Sequence, residues 1–481
     1  MNRRELLSKM ILATAAVGAA PLAYPMRALA AECSPIPAMP RTLVNFMLNG
    51  GADMRFVFMP LPGTLDPVHE NLMFSARRNM YESSRTSPTM TYAEMFALEY
   101  DVPVGQDFGI HRSCGWLTGE FNAGRVAVVA NAYCSRNRRH DQSILNADVG
   151  EPDFNELVFE RDGWGGRLVE AIGGSANAVE LGGSISVFNK GSQEGDRLAQ
   201  VIHAANVRDI ALPNVNASGG GTGRRDVVIR ALKGYYQARG EEVLTEQPAN
   251  WPFHTFFDHN AAFRAFGDDI AARMADCGAL PLSLLPTSSG GSFDLFSNSF
   301  EQQCRNLYDV CLAPDLFDLR TLSMSYGGWD THGGQEGRIS RNLGDILGTD
   351  KGLDRATTEI ANLGTNAIDQ LVFYFASDFG RQLVTNGDLG TDHGRGIYAV
   401  LVGSDVTGGV YGTMFPSSEA VESNGKIPLE THGADIFGET STENILAEVC
   451  EWMQPGSSAS VFPNLDPSRV ESAGMLNGLM A

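Results

Sequence analysis

The chain has 481 residues and a formal net charge of −21, and a surface this acidic excludes electrostatic affinity for nucleic acid or anionic membranes. Its 43% hydrophobic and 19% charged residues are typical of a globular protein and exclude intrinsic disorder. A chain of this length is long enough for one large α/β domain.

The N-terminus has the pattern of a removable export signal. Arg3 and Arg4 precede an apolar, small-residue stretch at 10–23, and ALA at 28–30 offers a cleavage site before Ala31. This order predicts a signal peptide at residues 1–30, with an apolar part shorter than the roughly 20 residues of a membrane-spanning helix. The paired arginines indicate the twin-arginine route. We therefore expect the twin-arginine translocase as an export partner, a periplasmic or extracellular protein, and no membrane span after signal removal.

Hydrophobic patterning predicts an α/β fold with a mostly parallel central sheet and helices on both faces. Compact apolar runs predict strands at residues 41–48, 125–131, 319–325, 371–376 and 396–402. Helical patterns lie at residues 224–239, 261–277, 293–312 and 355–370. We expect one domain over 41–481. Within it, residues 224–315 form either a helical cap insert or crossover helices with long loops; glycine- and serine-rich stretches at 216–223 and 287–292 bracket its mostly helical part.

Acidic and imidazole side chains lie just outside these strands. They are Asp53, Asp330, His332, Asp378, Asp392 and His393. Because ligands bind at the carboxyl edge of an open parallel sheet, we expect these side chains to meet there. Carboxylates gathered at one point repel each other, and a divalent cation removes the repulsion. Mixed oxygen and nitrogen ligands suit zinc or manganese, with calcium as a third candidate, and such an ion would polarise a substrate oxygen or activate a water.

Several of these residues also have an ordinary structural explanation. Asp53 follows two glycines, as turn residues often do, and Asp378 is placed to cap a following helix. One of Asp392 and His393 could likewise be a cap. The metal hypothesis therefore depends on the whole set converging.

The loop after the second predicted strand holds the nucleophile candidates. Cys134 is either a nucleophile, a partner of Cys114 in a disulfide, or a buried thiol; the seven cysteines of the chain leave at least one unpaired. Ser135 is either a metal-activated alkoxide or a helix cap. His140, at the end of this loop, is a further catalytic candidate.

The same loop is basic, although the protein is acidic. Arg136, Arg138 and Arg139 form a cluster that suits a small anionic ester, through bidentate hydrogen bonds to phosphate or sulfate oxygens. The alternative is a solvated loop that pairs with nearby carboxylates.

An ordered series of short motifs resembles the DUF1501 family from about residue 41 to the end. The series comprises NGGAD at 49–53, NRRH at 137–140, GWGGR at 163–167, GWDTH at 328–332, SDFGR at 377–381, TDHG at 391–394, GGVYG at 408–412 and VFPN at 461–464. The family consists of twin-arginine-exported bacterial proteins of unassigned activity that are similar in outline to the alkaline phosphatase and sulfatase superfamily.

The resemblance implies roles for particular residues. Asp53 would be the superfamily's first-strand aspartate, and Asp378 its later strand-end aspartate. One metal would be held by the residues Asp330, His332 and His393.

The sequence departs in three places from the patterns of the phosphatases of the superfamily, of the DUF1501 family and of the sulfatases, in that order. Phe379 replaces an adjacent histidine, so a second metal would lack a ligand. Arg139 stands where family members usually have serine. The stretch from Cys134 is similar to the sulfatase C-x-P-x-R sequence, but Arg136 replaces its proline, which argues against oxidation of the cysteine to formylglycine.

Two functions stay open at this point. The first is a metal-dependent phosphate- or sulfate-ester hydrolase, which the Asp/His set favours. The second is a non-catalytic envelope protein that keeps the fold for binding or assembly, which the departures at Arg139 and Phe379 favour.

Overall fold

The computed structural model describes residues 36–82, 90–173, 177–182, 186–192, 200–209, 238, 254–421, 429 and 433–481. The predicted signal peptide lies outside these residues, as does the predicted helix at 224–239 apart from residue 238. The predicted helical cap at 224–315 is only partly described, so it stays a prediction, as does the division into one domain.

The strands of the described chain form one large sheet and one small one. In chain order they are β1 (Thr42–Met47), β2 (Phe58–Pro60), β3 (Tyr100–Asp101), β4 (Phe108–His111), β5 (Val126–Tyr133), β6 (Asn177–Glu180), β7 (Gln200–His203), β8 (Leu319–Ser325), β9 (Leu371–Ala376), β10 (Ile397–Val402), β11 (Gly409–Tyr411) and β12 (Thr440–Ser441). The large sheet has the order β11-β5-β10-β9-β1-β8-β6-β7, with β12 also paired to β5. The strands β2, β4 and β3 form the small antiparallel sheet.

The large sheet is mostly parallel, as predicted, with one important exception. Strand β1 pairs in parallel with β8 and β9, and β5 pairs in parallel with β11 and β12. Strand β10 pairs antiparallel with both β9 and β5. The N-terminal end of β10 therefore lies at the same edge as the C-terminal ends of its neighbours.

The helices cover both faces of this sheet. Their bounds are α1 (Met54–Val57), α2 (Pro67–Glu82), α3 (Tyr92–Glu99), α4 (Gly115–Asn122), α5 (His140–Val149), α6 (Trp164–Ile172), α7 (His254–Cys277), α8 (Asn298–Leu312), α9 (Pro314–Phe317), α10 (Gln335–Leu347), α11 (Gly352–Ala361), α12 (Ala367–Gln370), α13 (Thr442–Met453) and α14 (Ser458–Val461). In the described part of the chain, no helix combines the length and the apolar character that crossing a membrane requires.

Alternate side chains of each central strand enter two separate hydrophobic cores. Val44 and Phe46 of β1 pack into the core that also holds the apolar sides of α8, α10 and α11. Leu43 and Met47 enter the opposite core, with α6 and α13. Burial of both faces explains why the central strands are near-continuous apolar runs. It also makes the sheet a rigid base for the loops at its edge.

The sequence located the strands better than the helices. Strands β8 and β9 have the predicted bounds, whereas the helix predicted at 355–370 is wrong as one element, because it is two helices, α11 and α12. Between them Gly364 has a φ of +68°, a conformation that glycine adopts easily and that ends a helix. The predicted helix at 293–312 begins at Asn298, after the N-cap Ser297.

Candidate metal centre

Loops from distant parts of the chain meet at one edge of the large sheet. The loop after β8 carries Asp330 and His332, and the segment before β10 carries His393. The loop after β5 ends at His140, the first residue of α5. Because β10 runs opposite to its neighbours, the residues before it share an edge with the residues after β5 and β8.

Asp330 lies at the centre of this group. Its Oδ1 atom is 3.0 Å from His332 Nε2 and 3.1 Å from His393 Nε2. The two Nε2 atoms are 3.0 Å apart. The sequence prediction that these three residues converge is therefore correct in the structure.

His140 completes the group from the other side. Its Nε2 atom is 3.6 Å from Asp330 Oδ2. That nitrogen is buried and has no hydrogen-bond partner. Ligand atoms of His140, Asp330 and His393 all lie within 4.8 Å of one another, a spacing that could hold a metal ion.

The outer nitrogen of each imidazole faces a hydrogen-bond acceptor. The Nδ1 atom of His140 is 2.9 Å from Asp378 Oδ2, and that of His332 is 3.0 Å from Asp392 Oδ1. The Nδ1 atom of His393 is 2.9 Å from the carbonyl oxygen of Arg138. Because carboxylate and carbonyl oxygens only accept, each Nδ1 is placed to donate a proton, and a ring protonated there alone would turn its Nε2 lone pair inward.

This arrangement has the features of a metal-binding group. Histidine ligands usually donate their outer N–H to a carboxylate or a backbone carbonyl, which fixes the tautomer and the ring orientation. Ligand atoms bound tetrahedrally to zinc at 2.0–2.1 Å lie about 3.3–3.4 Å apart, close to the separations around Asp330. Inward lone pairs beside a carboxylate repel one another, and a cation would turn that repulsion into attraction. The residues present therefore fit one divalent ion.

Asp330 is ionised across the neutral range. Burial alone would raise its pKa, but the hydrogen bond and charge of Arg381, together with the contact to the His393 ring, lower the pKa of Asp330 to about 2. Burial in turn lowers the pKa of His393, which favours the neutral ring that a metal requires.

Asp378, predicted as a ligand, instead holds a ligand in place. Its Oδ1 atom accepts hydrogen bonds from the backbone N–H groups of Gly50 and Gly51, at 2.9 and 2.8 Å. Its Oδ2 atom faces the His140 ring, and the side chain is fully buried. Gly51 has a φ of +79°, and a Cβ atom there would lie 2.6 Å from the Phe379 ring, so glycine is required where the backbone approaches this carboxylate.

Asp53 is also not placed as a ligand. Its Oδ2 atom accepts from Arg77 Nη1 at 2.7 Å and from Gln335 Nε2 at 2.5 Å. Its Oδ1 atom caps the short helix α1 by accepting from the Arg55 N–H. A guanidinium thus neutralises the carboxylate for which the superfamily resemblance implied a metal.

Phe379 and Arg381 pack directly against the imidazoles and Asp330. The Phe379 ring is fully buried and packs 4.7 Å from the His140 ring and 4.4 Å from the His393 ring, between centroids. Arg381 is buried too, and it donates to the carbonyl groups of Gly50 and Gly51 as well as to Asp330. The surroundings therefore fit a second metal poorly.

The predicted nucleophiles Cys134 and Ser135 are both buried. The Cys134 thiol donates to the carbonyl oxygens of Ser377 and Asp378, at 2.9 and 2.8 Å, and burial raises its pKa well above the usual value. The Ser135 hydroxyl accepts from the Asn137 N–H and the Asn146 amide. Both side chains are occupied in holding the loop, which argues against a nucleophilic role.

The arginines and the cysteine of this loop make contacts within the protein or are exposed at its surface. Cys114 and Cys134 are both free thiols, so they do not form the disulfide that the sequence allowed. Arg139 pairs with Asp141, and Arg136 stacks on Tyr133. Arg138 is exposed and donates to the carbonyl oxygen of His393 at 3.2 Å, which places its guanidinium beside the imidazole group.

Sequence reasoning missed three residues that shape the site. They are Arg77, Gln335 and Arg381. Arg381 lies inside a motif that the resemblance used, and its charge beside several carboxylates was an available signal. Gln335 and Arg77 lie in helices without a local motif, so only their contacts reveal them.

Comparison with known families supports the resemblance over part of the chain. The family described as "Protein of unknown function (DUF1501)" matches residues 315–434. That stretch contains five of the six predicted ligands; Asp53 lies outside it, as does His140. No curated protein matches the chain.

Proposed function

We propose that this DUF1501 protein is a metal-dependent hydrolase of phosphate or sulfate esters. In this proposal His140, His332, His393 and Asp330 hold one divalent cation. The observation that carries it is the set of three inward Nε2 atoms around one carboxylate, each ring fixed from behind by an acceptor. Zinc or manganese suits these nitrogen and oxygen ligands better than calcium, which prefers oxygen alone.

The group is open to solvent on one side, as a catalytic site must be. The side chains of Asp330 and His332 are 48% and 46% exposed, whereas structural metal sites are closed by their ligands. When bound, the cation would supply a Lewis acid that polarises an ester oxygen and lowers the pKa of a water. Water is the proposed nucleophile because Cys134 and Ser135 are buried and hydrogen-bonded.

Arg138 is the residue proposed to bind the anionic ester. One of its nitrogens donates to His393, and a guanidinium has five N–H donors in all. The side chain is exposed, and its remaining donors suit two oxygens of a phosphate or sulfate group. In a chain with a net charge of −21, a local cation of this kind offsets the repulsion that an anionic substrate would meet.

The proposal includes export by the twin-arginine pathway to the periplasm or the extracellular space. Its support is the arginine pair and cleavage pattern at residues 1–30. Export of a folded chain would allow the metal to be loaded before translocation.

A second candidate, a metal-binding envelope protein without catalytic activity, is favoured by one observation. Both predicted nucleophiles are buried, and Arg139, at the position where the family usually has serine, pairs with Asp141. This candidate shares the metal site and differs only in turnover.

Metal content and turnover together test these proposals. Protein exported in its native host should contain about one metal ion per chain by elemental analysis, and should hydrolyse p-nitrophenyl phosphate or p-nitrophenyl sulfate. His332→Ala and His393→Ala should lose both metal and turnover. His203→Ala is the matched control, because His203 is an exposed histidine at the end of β7 that contacts the Gly182 carbonyl.

The outcomes separate the candidates. A folded wild-type protein that contains no metal, and takes up none when zinc or manganese is added, contradicts both. Stoichiometric metal without turnover of either ester supports the envelope protein, and loss of metal in His203→Ala would refute the assignment of the ligands.

A further inference from the structure

We infer that Gln335 is a positioning residue, which sets the spacing between the two loops that carry Asp330, His332 and His393. The inference rests on the proposed metal site and identifies the side-chain contact that holds its ligands at fixed relative positions. Gln335 is the first residue of α10 and is fully buried.

The side-chain amide of Gln335 joins both ligand loops. Its Oε1 atom accepts hydrogen bonds from Thr391 Oγ1 at 2.6 Å and from Thr331 Oγ1 at 3.1 Å. Thr331 lies between Asp330 and His332, and Thr391 precedes Asp392 and His393. Both threonines are fully buried, so their hydroxyl groups depend on this acceptor.

Three backbone hydrogen bonds also join these two loops in the described structure, one of them from the Gly334 N–H to the Asp388 carbonyl at 3.1 Å, and the one between the threonines is the longest. The Thr391 N–H donates to the Thr331 carbonyl at 3.3 Å, a long hydrogen bond. The Gln335 N–H donates to the Leu389 carbonyl at 3.0 Å. The loops therefore meet as irregular backbone rather than as paired strands, and the shared amide adds hydrogen bonds to both threonines that are shorter than the backbone bond between them.

Asp53 fixes which way the amide points. A carboxylate only accepts, so the amide nitrogen of Gln335 must face Asp53, and the oxygen must face the threonines. Arg77 holds Asp53 in turn, at 2.7 Å. The result is a buried chain of contacts from Arg77 through Asp53 and Gln335 to both ligand loops, in which Asp53 acts as an anchor.

Loss of this connection should loosen the ligand geometry without removing a ligand. Changes in residues that orient metal ligands typically reduce metal affinity 10- to 100-fold. We expect a loss in that range for Gln335→Met, which keeps the side chain's length but neither donates to Asp53 nor accepts from the threonines as an amide does.

Cobalt provides a readout that is independent of turnover. Metal-free wild-type protein titrated with Co²⁺ alone should give a visible absorption spectrum that reports the ligand geometry, together with a dissociation constant. Gln335→Met should bind Co²⁺ at least about 10-fold more weakly, with an altered spectrum. Ile339→Ala is the control, because Ile339 is buried in the same helix and its truncation destabilises the fold by packing alone; its Co²⁺ spectrum should match the wild type.

A double-mutant cycle with Thr391→Val shows whether the amide acts through the threonine. If it does, adding Thr391→Val to Gln335→Met should weaken Co²⁺ binding much less than Thr391→Val does alone. Should Gln335→Met fail to fold, Thr331→Val and Thr391→Val remove the same contacts more gently and must each alter the spectrum.

Wild-type affinity and spectrum in folded Gln335→Met, or in the folded threonine variants where that protein does not fold, would overturn the inference and leave the metal site intact. If the wild-type protein itself binds no Co²⁺, the metal site is refuted and the positioning role with it. The two failures are therefore distinguishable.

Discussion

Replacing Asp392 with asparagine probes the carboxylate behind His332. Asp392 Oδ1 is 3.0 Å from His332 Nδ1 and also accepts from the Asn386 amide at 3.1 Å. Asparagine can still present a carbonyl oxygen to the ring, so the imidazole should keep its orientation. The negative charge that makes the ring a stronger ligand is lost. The substitution therefore isolates the electrostatic part of the interaction.

The structure sets the expected magnitude. Outer partners of metal ligands are worth 10- to 100-fold in affinity, or about 1.4–2.7 kcal/mol. The side chain of Asp392 is 34% exposed, and solvent screens its charge. We therefore expect Asp392→Asn to lower metal affinity by about 10-fold, near the lower limit. Asp392→Ala should lower it further, because alanine also removes the acceptor that orients the His332 ring.

Competition with a chelating dye of known zinc affinity measures this change. The control is Asp388→Asn, which removes the same charge from an exposed position in the same loop and should leave zinc affinity within about twofold of wild type. Equal losses in the two variants would show that general charge, rather than the contact to His332, determines affinity. Unchanged affinity in Asp392→Asn would refute the reasoning.

Two further changes address buried charges away from the imidazoles. Asp53→Ala leaves the buried Arg77 guanidinium without its carboxylate, so urea unfolding of the metal-free protein should show a loss of about 3–5 kcal/mol; a loss below about 1 kcal/mol would contradict the pairing. Burial raises the pKa of Asp148 from 3.8 to about 7, so the folded state binds its proton more tightly than the unfolded state and loses stability as the pH rises from about 4 to about 7. Asp148→Asn, whose amide oxygen can still accept from the Val187 N–H, should therefore be more stable than wild type by about 1–3 kcal/mol at pH 8 and by little at pH 4; a gain that is independent of pH would refute this.

The strands could be predicted from the sequence because their signal is local. Residues 371–376 form an apolar run that ends at an aspartate-containing turn and contributes to both hydrophobic cores, whereas residues 319–325 contribute apolar side chains to one core and end at a glycine-rich turn. The helices that follow loops depend more on tertiary contacts. The break between α11 and α12 did have a local signal, because Gly364 lies between them, but the apolar periodicity at 355–370 did not reveal it.

The sequence also predicted that acidic and imidazole side chains would meet at one edge of the sheet, but the argument for it was incomplete. Strand-end residues meet at one edge of a parallel sheet, and this argument covers Asp330 and His332. The same argument would place His393 at the opposite edge of the sheet, because His393 precedes strand β10. Only the antiparallel direction of β10 brings His393 back to Asp330.

The sequence by itself determined the α/β class, the central strands and a set of side chains able to bind a metal, because each follows from residues close together in the chain. The tertiary structure alone decided which of them face the centre. His140 and Asp378 are 238 positions apart in the chain, and Gln335 and Asp53 are 282 apart. Whether a carboxylate becomes a ligand, a support for a histidine or the partner of a guanidinium depends on which group lies within about 3 Å of it, and no local pattern encodes that neighbour.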